Sequence, residues 1–415
     1  MTSFAEIITI GDEILYGQTL DTNSHWLSSA LDEAGIQVTR KTSIADKREE
    51  ILEMVREAET RADIILLTGG LGPTNDDLTK PTLVEYFDTK LVHHPEVLTH
   101  IQNIFVKAGR EMSELNMKQA DLPENCTPIH NAFGTAPGMW FEKNGKVIIS
   151  MPGVPFEMKK MMTDEIIPKL VKQFANGVIY HKIIRTVGVP ESKLAQEING
   201  WENNLPKDIR LAYLPTMGMV KLRLTAKGAD SNLIEKKVSE EVEKVMPLIE
   251  KYVFGFDEDE LEVVLGKLLL EKGKKLALAE SCTGGYLSHM VTSVPGSSQW
   301  FNGSFIPYSN QLKNEQLDVS NETLKAHGAV SEPVVLAMAE NVRKKLHADV
   351  AVAVSGIAGP GGGSEEKPVG TVWIGYADET KSTAKVFHFT KDRTINIKYS
   401  AIAALNMIRV NLNKD

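Results

Sequence analysis

Residues 68–79, TGGLGPTNDDLT, gather glycines, hydroxyls and paired carboxylates directly after the apolar run Asp63-Ile64-Ile65-Leu66-Leu67. Gly69 and Gly70 let backbone N–H groups approach an anion closely, and Thr68 and Thr74 add hydroxyl donors. Asp76 and Asp77 supply the hard oxygens that hold a divalent ion beside a pyrophosphate. The same pattern also reads as a capped strand-to-helix turn with solvated acids.

A second concentration of chemistry lies in the last third. The apolar run Leu276-Ala277-Leu278-Ala279 ends in Glu280-Ser281-Cys282-Thr283-Gly284-Gly285, and Ser355-Gly356 through Gly363 close another apolar strand. Two such turns at the carboxyl ends of strands in one sheet make a pocket whose N–H groups suit a phosphate or an oxyanion. Between them, VPGSSQWFNGSFIPYSNQLK places Ser297 and Ser298 before a strand, and Tyr308 and Lys313 after it. Serine and lysine form a nucleophile and base only where the amine is desolvated or set beside another cation. Elsewhere they are ordinary turn and surface groups. The ten histidines show no metal-binding spacing, and His93-His94 before Pro95 reads as a solvated loop. Cys282 at a helix start reads as a pocket-lining residue.

The elements that must position these groups alternate. Strands are predicted at 7–10, 38–44, 63–67 and 146–150, with helices at 22–34, 47–60 and from 158 to about 171, a doubly wound α/β domain with a parallel sheet. From about Tyr180 the pattern becomes a small α+β unit, with strands at 183–187 and 212–225 and helices at 191–200 and 231–252. Its layout is KH-like, yet it has no GxxG loop and its long helix is rich in glutamate, so nucleic-acid clamping is poorly supported. FGFDEDE at 254–260 reads as an acidic linker. Alternation then resumes, with strands at 275–280, 304–308 and 349–354, a hairpin over 368–389, helices at 284–292 and 333–346, and a last helix over 394–412.

A chain of 415 residues with 42% hydrophobic and 24% charged residues is too long for one ordinary core and reads as two or three domains. A net charge of −9 argues against binding that relies on general phosphate attraction. Two distant cysteines, Cys126 and Cys282, fit a reducing cytoplasm, and neither a signal peptide nor a membrane span is expected.

GDEILYGQTLDTNSHWLSSAL at 11–31, TGGLGPTNDDLT, GTAPGMW at 134–140 and MPGVPFEM at 151–158 together resemble the molybdopterin-binding-like domain of the competence/damage-inducible CinA family. AESCTGG at 279–285, VPGSSQWFNGSFIPYSNQLK at 294–313, HGAVSEP at 327–333 and SGIAGPGGG at 355–363 resemble its C-terminal nicotinamide-nucleotide amidohydrolase domain. The resemblance covers essentially the whole chain. It implies a molybdopterin-binding-like domain over 1–175, a KH-like domain over 176–255, and an α/β/α sandwich amidohydrolase over 256–415.

By the same resemblance, the C-terminal domain would hydrolyse the carboxamide of nicotinamide mononucleotide to nicotinate mononucleotide and ammonia without a metal. Ser298 would be the nucleophile, with Ser297 beside it unranked, Lys313 the base and Tyr308 an orienting group. Ser281, Thr283, Gly284, Ser355 and Gly356 would line the substrate, and Arg393 would meet its phosphate. Ser355 stands where threonine is common in the family, and either supplies a hydroxyl. The first domain would cleave the pyrophosphate of ADP-ribose with a divalent metal and potassium. Gly11, Asp12, Glu13, Asn23, Thr68, Gly69, Gly70, Thr74, Gly153 and Glu157 would bind substrate there, and Asp76 and Asp77 the metal. The rival reading is a pterin- or nucleotide-binding scaffold without turnover. A DNA-uptake role finds little support in an acidic chain, and a symmetric homodimer is expected.

Overall fold

The computed structural model describes residues 3–74, 76–174 and 177–413. The chain separates into two compact units, one of Met1–Tyr180 with Ala226–Lys236 and the other of His181–Thr225 with Lys237–Asp415. The domain boundary expected between 175 and 176 lies outside the described residues.

In the first unit the chain runs through β1 (Phe4–Ile10), β2 (Gln37–Ile44) and β3 (Ile64–Thr68), a two-stranded pair of β4 (Leu91–His93) and β5 (Asp121–Pro123), then β6 (Thr127–Ile129), β7 (Gly138–Lys143) and β8 (Lys146–Met151). The main sheet has the order β2-β1-β3-β8-β7-β6. Its first four strands are parallel, and β7 and β6 add an antiparallel edge to the expected parallel sheet. β3 is buried at every position, as a central strand covered on both faces must be. One face packs Ile7, Leu66 and Ile149 against the helix Thr22–Glu33, and the other packs Ile8, Leu67 and Ile148 against Arg48–Arg61. This alternation brings the carboxyl ends of β1, β2, β3 and β8 to one edge of the sheet.

The second unit holds two sheets. β9 (Val178–Val187), β10 (Ile209–Thr216), β11 (Met219–Gly228) and β12 (Val253–Phe256) form a four-stranded sheet in the order β10-β11-β9-β12. The stretch expected as a linker therefore begins as a strand. Phe254 is buried, and β12 pairs antiparallel with β9.

β13 (Leu276–Glu280), β14 (Phe301–Phe305), β15 (Val350–Gly356), β16 (Thr371–Ala377) and β17 (Ser382–His388) form the last sheet, in the order β14-β13-β15-β16-β17. β13 is parallel to both neighbours, and β16 and β17 form the expected hairpin. β14 lies three residues earlier than the expected 304–308, because Trp300, buried against Gly266, anchors the segment where β13 begins. Tyr308 thus falls beyond the strand, in the turn before the helix Asn310–Leu317. Among the described residues no helix is long and apolar enough to cross a membrane.

Candidate active sites

β13 is uniformly buried and ends at Glu280, whose carboxylate accepts the backbone N–H groups of Gly285, Leu287 and Ser288. It satisfies the start of the helix Tyr286–Thr292 and fixes the turn that carries Ser281. Within that turn the N–H groups of Cys282 and Thr283 find no acceptor among the described residues.

Lys313, on the helix Asn310–Leu317, is 1% exposed, and its Nζ lies 3.0 Å from Ser281 Oγ. It also donates to the carbonyls of Pro307, at 2.9 Å, and Tyr308, at 3.4 Å. An uncharged amine has two N–H groups and one lone pair. With both hydrogens on carbonyls, the lone pair is left for the Ser281 hydroxyl. Burial holds the Lys313 amine below the ordinary lysine range. Burial also pushes the neighbouring Cys282 thiol up to about 12, so it is a neutral wall of the site and no nucleophile.

Ser281, Lys313, Tyr308, Ser355, Gly356 and Arg393 line one cavity of about 220 Å3, together with Cys282, Asn310, Ala329, Val330 and Ala358. Ser355 Oγ donates to the Ala329 carbonyl at 2.7 Å, which ties the HGAVSEP segment to the end of β15. Arg393 opens the twenty-residue helix Arg393–Leu412 and donates to Gly359 O and the Tyr308 hydroxyl. Asn396, fully buried, bonds Ala358 O and Thr390 O and holds that helix start to the glycine-rich turn.

The assignments of Ser298, Thr283 and Gly284 change here, while Tyr308 keeps an orienting role. Ser298 is exposed, in the turn before β14 at the opposite end of the strands, and does not line the cavity, so it cannot be the partner of Lys313; Ser281 is. Tyr308 orients Arg393 through its hydroxyl and Lys313 through its carbonyl, and touches neither serine hydroxyl. Thr283 is buried and Gly284 is exposed, and neither reaches the cavity wall.

In the first unit, Gly69 at φ +119 sits so close to the Ile10 carbonyl that a Cβ would lie 2.1 Å from it, and its N–H bonds Met151 O. The turn is therefore stitched across β1, β3 and β8. Thr68 is fully buried: its hydroxyl donates to Pro152 O and accepts from Asn23 Nδ2, which also reaches Gly153 O. It ties strands together and is not the free donor expected of it. Asn23 Oδ1 stays buried without a hydrogen-bond partner among the described residues. Glu157 accepts from Asn131 and packs on Gly134, which braces the GTAPGMW loop. Gly11 packs against the carboxylate of Glu13.

Asp77 accepts both the N–H and the hydroxyl of Thr74, which shapes the turn. Asp46, just beyond β2, was missed by the sequence reading. Its carboxyl is raised by burial and, against a hydrogen bond from Leu78, by the charges of Asp77, Asp76 and Asp12. Four carboxylates thus share one sheet edge, and among the described residues none has an ion pair. No three His, Cys, Asp or Glu among the described residues are placed to share one ion. The set suits a hard cation that keeps one or two protein carboxylates and takes its remaining ligands from phosphate, the habit of magnesium.

A molybdopterin-binding-type α/β domain, a small α+β domain and a second α/β domain carrying a buried serine–lysine pair define the class. A family model for a probable molybdopterin binding domain matches residues 6–172. Models for the damage-inducible protein CinA KH domain and the CinA C-terminal domain match 181–255 and 258–412. The CinA-like protein of Cytophaga hutchinsonii is 52% identical, covering 99% of this chain and 98% of its own. That of Flavobacterium psychrophilum is 44% identical over 97% of each. The crystal structure of CinA from Thermoplasma acidophilum, 34% identical, covers 41% of this chain and 98% of its own at a TM-score of 0.38. The chain belongs to the CinA family.

Proposed function

We propose that the C-terminal site is an amidohydrolase acting on nicotinamide mononucleotide. The observation that carries this reading is the buried Lys313 amine at 3.0 Å from Ser281 Oγ, with the Pro307 and Tyr308 carbonyls also within its reach. Ser281 Oγ attacks the carboxamide carbon while its proton passes to Lys313 Nζ. The tetrahedral oxygen takes the open N–H group of Cys282, which lines the cavity. Lys313 then returns the proton to the departing nitrogen, which leaves as ammonia. Water, deprotonated by the same amine, attacks the acyl-serine, and the bond to Ser281 Oγ breaks as Lys313 returns the proton to that oxygen, releasing the carboxylate and restoring the pair. The cavity is smaller than the roughly 300–1,000 Å3 that encloses a whole ligand. It suits the amide-bearing ring, with the ribose phosphate at the mouth beside Arg393 and the helix start.

The first unit supports a second activity, cleavage of the ADP-ribose pyrophosphate. The supporting observation is the group of Asp12, Asp46, Asp76 and Asp77 beside the Gly69–Gly70 turn. A divalent cation held by two of them would supply charge neutralisation and a polarised phosphoryl oxygen. Potassium and a homodimer are proposed on the resemblance alone. The deciding experiment is ammonia release from nicotinamide mononucleotide in chelator, beside AMP release from ADP-ribose with magnesium. Ammonia without metal and AMP only with it supports both sites. ADP-ribose binding without AMP would make the first unit a scaffold.

A further inference from the structure

Within the unit of His181–Thr225 and Lys237–Asp415, a cleft of about 810 Å3 opens between the turns at Gly188 and Gly218 and the face formed by β17 and the last helix. It shares no lining residue with the amidase cavity. Its floor is apolar and buried at Val187, Val189, Val220 and Ile402. One wall is aromatic: Phe387, Phe389 and Tyr399 form a ladder with centroids 5.5 and 5.4 Å apart and successive rings 17° from parallel. These rings are only half-buried, which in a finished core they would not be.

One polar group in the cleft is fixed. Arg409, itself buried, is anchored on Val253 O and Lys251 O and donates from Nε and Nη2 to Asn406 Oδ1 at 3.1 and 2.9 Å. That sets the amide so that its nitrogen is on the side away from Arg409, 2.8 Å from where a Cβ on Gly188 would stand. No acceptor among the described residues takes the Nδ2 hydrogens. Charge is confined to exposed Lys385 and Glu191. A cleft within the size range of ligand pockets, apolar and aromatic, with one oriented donor, has the composition of a small-molecule site at a junction of domains.

We infer that this cleft binds a planar aromatic small molecule that carries a hydrogen-bond acceptor, stacking along the Phe387–Phe389–Tyr399 wall and accepting from Asn406 Nδ2. The probe is 1-methyl-2-quinolone, flat with one carbonyl and no donor, and N-methylindole is the matched ring without the acceptor. Titration of the full chain with methyl-labelled methionines is expected to show saturable binding of both, with shifts at Met219 and Met407, which line the cleft. Asn406→Asp keeps an oxygen for Arg409 but turns the donor into an acceptor. It is expected to weaken the quinolone about tenfold and the indole less than twofold. Ala403→Phe, which fills the cleft, is expected to abolish both. The inference fails if no probe saturates, if Met219 and Met407 stay still, or if Asn406→Asp weakens both probes equally. It fails too if sedimentation shows that Ala403→Phe splits a dimer while no probe binds, since the cleft would then be covered by a second copy.

Discussion

Exchanging the two candidate serines separates the reading from geometry from the reading by resemblance. Ser281→Ala removes the only hydroxyl among the described residues within hydrogen-bond reach of Lys313 Nζ. Without a nucleophile the remaining oxyanion donors and binding contacts sustain little turnover, so kcat should fall by at least about 10^3, or roughly 4 kcal/mol in the barrier. The fold should lose little: one hydrogen bond is worth about 1 kcal/mol, and Lys313 keeps the Pro307 and Tyr308 carbonyls. Ser298 is exposed in the turn Ser297–Gln299, which precedes β14. The four residue steps of β14 span about 13 Å at ~3.3 Å each. Ser298→Ala should therefore leave kcat within about threefold. Ammonia release is measured in chelator, with melting temperatures alongside and intact-mass detection of an acyl adduct on a slow substrate. Loss of activity in Ser298→Ala with Ser281→Ala still active, both folded, would refute the Ser281–Lys313 pair.

Four further outcomes follow from the two sites and their turns. Ammonia release should rise with pH and level off at an apparent pKa below the ordinary lysine value, because burial depresses Lys313 and only its neutral amine is a base; a profile flat from acid to alkaline pH, or Lys313→Arg with wild-type kcat, excludes that role. The depressed amine has a linked effect on stability: between its folded pKa and the ordinary value of about 10.4, the unfolded chain binds more protons, so urea stability should rise with pH there and Lys313→Met should flatten the rise. Asp46→Asn should cut AMP release from ADP-ribose about tenfold or more while ammonia release is unchanged, and equal loss of both would show a general folding defect. Gly69→Ala should destabilise the first unit by roughly 2 kcal/mol or more in urea unfolding, since its Cβ would lie 2.1 Å from Ile10 O at a positive φ.

The sequence carried the sheets more fully than the contacts across them. Continuous apolar runs such as Ile64–Leu67 and Leu276–Ala279 admit few readings other than buried strands, and turn chemistry after each marks the ligand edge. What spacing could not supply was which turn faces which. Ser298 and Lys313 are fifteen positions apart and Ser281 and Lys313 thirty-two, yet the parallel pairing of β14 with β13 brings the more distant pair together. Trp300 could have given the warning. A tryptophan two residues after Ser298 is a strong candidate for burial, and its burial pins that serine to the strand's start. Asp46 escaped for the complementary reason, as a single acid after a strand with no glycine beside it. Applying the carboxyl-edge rule to every parallel strand, β2 included, would have found it.

The two sites occupy equivalent edges of two α/β sheets and use opposite electrostatics there. The first unit gathers Asp12, Asp46, Asp76 and Asp77 with no ion-paired Lys, Arg or His among the described residues, an arrangement that favours positive charge. The second buries Lys313 among a thiol held neutral, backbone carbonyls and a serine, an arrangement that lowers the amine's proton affinity and so favours its neutral form, while Arg393 supplies the cation of that cavity wall. No carboxylate lines the second cavity among the described residues, and Glu280, next to Ser281, is fully buried and committed to the N–H groups of Gly285, Leu287 and Ser288. Glu280 is thus a positioning residue whose capping bonds fix the turn that carries Ser281, and Glu280→Gln should lower kcat for ammonia release more than it changes KM while the rising limb of the pH profile stays in place.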